Sequence, residues 1–221
     1  MNITDFQLRF VGDLRLAPHA TSALPAWLWS TDGEQVLWAN PVAARLLGAS
    51  NAAELAKRTF GPADANRRQV AQLASRLPQN GALRMERLRG FGASLGQLVT
   101  CACMRVVFAD GDHAILITAT EFSGRTMPLT ERLKLLVAGV RKPVAAFAAD
   151  GMLAGASEAA RALPAAHDLP DNVRNETLDR GRAELAIEGG HMALHRVGSG
   201  DDVGIIALIT RDAAIAGAAR P

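Results

Sequence analysis

The sequence predicts an α+β fold: one unit forms a five-stranded antiparallel sheet with helices on one face, and a second, shorter and degenerate version of that unit follows. Two observations lead there. Between residues 26 and 120 the apolar pattern runs as two strands, several helices and three strands, and the opening of that pattern returns about 117 positions later. Composition sets the frame. At roughly 150 residues per domain, 221 residues make one large domain or two small ones, and 49% hydrophobic with 21% charged residues is the make-up of an ordinary globular protein.

The first hairpin is read from Ala26-Trp27-Leu28-Trp29-Ser30 and Gln35-Val36-Leu37-Trp38-Ala39, with Asp32-Gly33 supplying the positive φ of a tight turn. Asn40-Pro41 then starts a helix over 41–47. Asn40 accepts from free N–H groups, Pro41 has the φ of a first helical position, and Gly48 closes the far end. Residues 53–58 add a further turn. Asp64 to Leu77 carries Val70, Leu73, Ala74 and Leu77 on one helical face, and Pro78-Gln79-Asn80-Gly81 stops it. From Ala82 the period becomes extended, giving strands over 82–89, 97–108 and 113–120, with breaks at Gly90-Phe91-Gly92 and Asp110-Gly111-Asp112.

Leu129, Leu133, Leu136 and Val140 recur at heptad spacing, as in a connector helix packed on its own domain or a dimer-forming helix. The repeat follows. Phe147-Ala148-Ala149-Asp150-Gly151 echoes Trp29-Ser30-Thr31-Asp32-Gly33, and Ser157 to Leu163 echoes Asn40 to Leu47 with a capping Ser in place of Asn. Strands over 183–187, 192–197 and 203–210 leave room in the second unit for one helix, around 172–180. The expected organisation is an N-terminal segment (1–24), a first domain (25–122), a linker helix (123–138) and a second domain (139–221).

The run Ala26 to Gly33, then Val36 to Pro41 with Ala43-Ala44 and Leu46-Leu47-Gly48, resembles the opening of a PAS domain, and the helices and three strands keep that order. The likeness covers residues 25–122 well and 139–212 weakly. Its alanine-rich, tryptophan-bearing form resembles the input region of alphaproteobacterial sensor histidine kinases. That resemblance implies a sheet whose concave face holds a ligand or a core, a homodimer, and a kinase effector beyond this chain. Alternatively, the chain is a stand-alone small-molecule-binding regulator or scaffold. Gly90-Phe91-Gly92 and Gly198-Ser199-Gly200 read as turns too short to cradle a phosphate, and no catalytic constellation emerges.

Charge and cysteines narrow the partners. Twenty-four Lys and Arg against 22 Asp and Glu give a net charge of +2, without the concentrated basicity that nucleic acid requires. No run reaches the ~18 apolar residues of a membrane span, and Met1 to Phe10 lacks the order of a signal peptide, so a cytoplasmic protein is expected. Cys101 and Cys103, one residue apart, make neither a disulfide framework nor a zinc site. No cofactor is expected: by the resemblance a flavin adduct would need a helical cysteine, haem an axial histidine on the long helix, and Asp64 to Leu77 has neither.

Strand alternation puts Trp27, Trp29 and Thr31 on one face of the first strand and Val36 with Trp38 on one face of the second, taken by resemblance as the face under the helices. The indoles there either fill the core or stack a planar ligand. The candidate pocket is Trp29, Trp38, Arg84, Cys101 and Cys103, with Arg84 or Arg105 placed to hold an anion; no metal ligands and no catalytic residues are assigned.

Overall fold

The structure is a computed structural model describing residues 8–91 and 98–212. The expected strand start at residue 97, Gly92 and the 213–221 tail lie outside the described residues. The chain divides into two compact units. One is the stretch from Ser22 to Met127; the other joins Leu8–Thr21 to the chain from Pro128 onward. The second unit is therefore built from two pieces of sequence, with the first unit inserted between them.

The short helix α1 (Ala17–Ala20) belongs to the second unit; the first unit contains β1 (Ala26–Ser30), β2 (Val36–Ala39), α2 (Pro41–Leu46), α3 (Ala52–Leu55), α4 (Ala65–Arg76), β3 (Arg84–Arg89), β4 (Leu98–Val107) and β5 (His113–Ala119). Its sheet is antiparallel in the order β2-β1-β5-β4-β3, so the last strand in sequence pairs between the first and the fourth. The helices lie between β2 and β3 in the chain, and each begins with the cap its sequence supplies. Asn51 accepts from the Glu54 N–H at 2.9 Å, and Asp64 accepts from those of Asn66 and Arg67 at 2.8 and 3.2 Å. Gly33 has φ +69°, and a Cβ there would stand 2.5 Å from the carbonyl oxygen of Arg67, so the turn sits against the start of α4 in a way only glycine permits.

Asn40 does more than cap. Its Oδ1 accepts from the Ala43 N–H at 2.9 Å and the Ala26 N–H at 3.3 Å, and its Nδ2 donates to the Leu24 carbonyl at 2.7 Å. A fully buried amide thus ties the start of β1 to the start of α2, with its polar atoms satisfied as burial demands.

The second unit contains α5 (Leu129–Val137), β6 (Val144–Ala148), β7 (Leu153–Ala156), α6 (Glu158–Arg161), α7 (Asp171–Arg180), β8 (Arg182–Ile187), β9 (Gly190–Val197) and β10 (Gly204–Arg211). Its sheet order, β7-β6-β10-β9-β8, repeats that of the first unit strand for strand. Even the irregularities repeat. Leu28 pairs with Trp38 and Trp29 with Val36, leaving Leu37 over; Ala146 pairs with Gly155 and Phe147 with Leu153, leaving Ala154 over. Each is a one-residue bulge at the same place in the first hairpin.

The seam of α5 is spent inside this unit. Leu133, Leu136 and Val137 are buried, and the helix packs on β6 and β7. Small residues let it approach: a Cβ on Gly155 would lie 2.7 Å from the Lys134 Cα, and one on Gly204 would lie 2.6 Å from Leu133 Cδ2. Gly155 and Gly204 sit opposite Ala146 and Ala148, on the face away from the core of Phe147, Met192, Leu194 and Ile205.

Candidate functional site

One face of the first sheet and the helices above it enclose a core that includes Trp27, Trp29, Leu73, Phe91, Cys101, Cys103, Ile115 and Ile117. Cross-strand register arranges the strand residues in rows. Trp29 stands opposite Ile115, which stands opposite Arg105; Trp27 stands opposite Ile117, which faces Cys103, which faces Arg84. Cys101 lies one row further, between Ala119 and Glu86.

Three of the five expected pocket residues, Trp29, Cys101 and Cys103, therefore share this face and are fully buried. Arg84 shares the row of Cys103 but is exposed on the edge strand β3. Trp38 is a correction. The bulge at Leu37 shifts its parity, so Trp38 pairs with Leu28 on the opposite face from Trp27 and Trp29, and strict alternation along β2 does not hold. The expected group of three indoles is a pair.

The two indoles of that pair differ. Trp27 Nε1 donates to the Ala43 carbonyl at 3.2 Å, and its ring meets Phe91 edge-on at 5.2 Å. Trp29 packs on Phe60 at 4.8 Å and on Phe91 at 6.2 Å, but its buried Nε1 has no hydrogen-bond partner among the described residues. In the same row, Arg105 donates from Nη2 to the Ala74 carbonyl near the C-terminal end of α4, while its buried Nε also lacks a partner among the described residues. Each unmet buried donor costs on the order of 1–3 kcal/mol. Sequence reasoning missed Phe60. It lies in a loop between α3 and α4, where no periodicity marks a side chain as inward; its N–H donates to the Glu34 carbonyl at 2.8 Å, and its own carbonyl accepts from Arg67 Nη1 at 2.7 Å. With Leu46 and Leu47 it forms the partly buried rim of the core.

The thiols are held in their neutral form. Burial pushes the Cys101 thiol up to about 12 and raises that of Cys103 too, the latter helped by Cys101 and Glu86 nearby. A nucleophilic or redox cysteine needs the opposite shift. Among the described residues no group of three or more His, Cys, Asp or Glu side chains is arranged to hold a metal, and no helix is long and apolar enough to cross a membrane.

No family model matches the chain, and no curated protein does. Among solved structures, an extracellular ligand binding receptor from Desulfohalobium retbaense is 9% identical, with 94% of this chain spanning 35% of that one, at a TM-score of 0.29. The extracellular domain of rpHK1S-Z16, described as a histidine kinase, is 12% identical over 98% of this chain and 85% of its own, also at 0.29. The ligand binding domain of Mlp24 with asparagine is 14% identical over 97% and 77%, again at 0.29. Likeness at this level fixes neither fold nor ligand for this chain.

Proposed function

We propose that this chain is the sensory and dimerisation input module of a cytoplasmic two-component sensor histidine kinase, with two PAS-like units and a kinase effector outside the chain. The duplicated strand order, with helices inserted between the second and third strands of each sheet, supports the PAS-like reading. The sensory assignment rests on one observation: Trp29 Nε1 and Arg105 Nε, two buried donors without acceptors, stand in one cross-strand row under the helices. A small molecule carrying a separate acceptor for each donor, spaced to span Ile115 between them, answers both. Differential affinity of a few kcal/mol between two packings is enough to pass the signal on.

Tryptophan fluorescence tests the sensory role, because all three indoles lie in the first unit. A library of small carboxylates and amides is expected to contain a saturable quencher whose effect is lost in Arg105→Met; a flat response across the library removes the sensory reading. The same two donors also suit a stand-alone small-molecule-binding regulator, and the coding sequence beyond Pro221 separates that reading from the first.

A further inference from the structure

A second recognition surface lies in the other unit, on the opposite face of its sheet from its hydrophobic core. There the N-terminal segment runs over the end of β8 and β9, stitched down by the Gly198 N–H donating to the Ala17 carbonyl at 2.8 Å. Between segment and strands is a cavity of about 470 Å³, within the range of small-molecule sites. One wall is apolar: Val11, Leu14, Ala17 and Pro18. Leu14 is 90% exposed, an unusual position for a leucine unless something covers it.

The facing wall carries two arginines and a histidine that burial holds towards its neutral form. Arg182 and His195 are cross-strand partners there, with Arg180 at the end of α7 beside them. Arg180 is engaged by Glu176 at 2.8 Å, but Arg182 has no ion-pair partner among the described residues. The one carboxylate lining the cavity, Asp13, is taken up by Arg15, whose backbone N–H and Nε both donate to Oδ1 at 2.9 Å while Nη2 reaches Oδ2 at 2.5 Å. Arg182, with Glu184 two residues along the same strand face but in no ion pair among the described residues, presents a guanidinium fork beside an apolar wall, and such a fork pairs with two oxygens of one oxyanion.

We infer that this cavity binds an amphiphilic anion, a carboxylate or phosphate head on Arg182 with an alkyl body along Leu14, Ala17 and Pro18. The bound molecule bridges the N-terminal segment and the sheet, and so fixes the start of the second unit. This site is separate from the Trp29 row and does not depend on the function proposed above.

Titration calorimetry on the full chain tests it, with decanoate and decyl phosphate as probes below their micellar concentrations and decanol as the neutral control. The expected result is saturable binding of one equivalent of at least one anion, weakened about tenfold or more both by Arg182→Ala and by Leu14→Asp, unchanged by Arg68→Ala, and absent with decanol. The tighter of the two anions identifies the head group. Both altered side chains are exposed, so the variants are expected to keep the wild-type circular dichroism. No saturable heat with either anion, or equal affinity in Arg182→Ala, overturns the proposal.

Discussion

Replacing Asp202 with Asn probes the junction at which the second unit is closed from its two pieces of sequence. Arg132, at the start of α5, is 5% exposed; it donates from Nη2 to Asp202 Oδ1 at 2.8 Å and from Nη1 to the Thr21 carbonyl, while the Thr21 hydroxyl donates to the Asp202 carbonyl. Three chain segments thus meet on one guanidinium. Removing one charge of a fully buried pair costs about 3–5 kcal/mol, because the other charge is left without compensation. The Asp202 side chain is 30% exposed, so water recovers part of that, and a loss of about 2–3 kcal/mol is expected. Hydrogen exchange is the assay, since the two units need not unfold as one. Faster exchange should appear in 8–21 and 129–137. Arg132→Met, which removes the stranded charge as well, should make the double variant cost clearly less than the sum of the two single changes. A loss below about 0.5 kcal/mol for Asp202→Asn, or strict additivity, would refute the reasoning.

Three further outcomes follow from the same structure. Asn40→Ala removes a helix cap and strands the Leu24 carbonyl and Ala26 N–H, so chemical denaturation followed by tryptophan fluorescence should show a loss of about 2–4 kcal/mol, against about 1 for Asn51→Ala, which is a cap alone. Gly155→Ala places a methyl against the α5 backbone and should cost about 1–3 kcal/mol and speed exchange in that helix; a neutral result would mean that α5 is not seated on β7. The raised Cys101 thiol gives stability that is fully present below the unfolded value of 9.0 and is lost as pH rises towards about 12, because only the unfolded chain releases that proton in this window. Denaturation midpoints should therefore fall above pH 9, the fall should be smaller in Cys101→Ala, and a thiol reagent that labels the native protein at once would contradict the burial.

Much of the fold was legible because its signals are local. Asn40-Pro41, Asp64 and Asp32-Gly33 act through their own backbone neighbours, so the cap and turn positions follow from residue type, and the helix expected over 64–77 is observed as Ala65–Arg76. Bulges are less legible. Nothing in Val36-Leu37-Trp38 marks Leu37 as the extra residue, yet that one insertion sends Trp38 to the opposite face. The roles of arginines also escape sequence: Arg105 has a fixed bond to the end of α4 and Arg132 bonds a residue 111 positions away, and no spacing rule connects such pairs. In the candidate site alternation placed Trp29, Cys101 and Cys103 on one face but misplaced Trp38, and Phe60 depends on how an irregular loop packs against the core.

The most direct test of the input-module account is to read the coding sequence beyond Pro221. The account predicts a helix carrying a phosphoacceptor histidine, followed by an asparagine- and glycine-rich ATP-binding domain. A stop codon immediately after Pro221 would contradict it and leave a stand-alone binding protein.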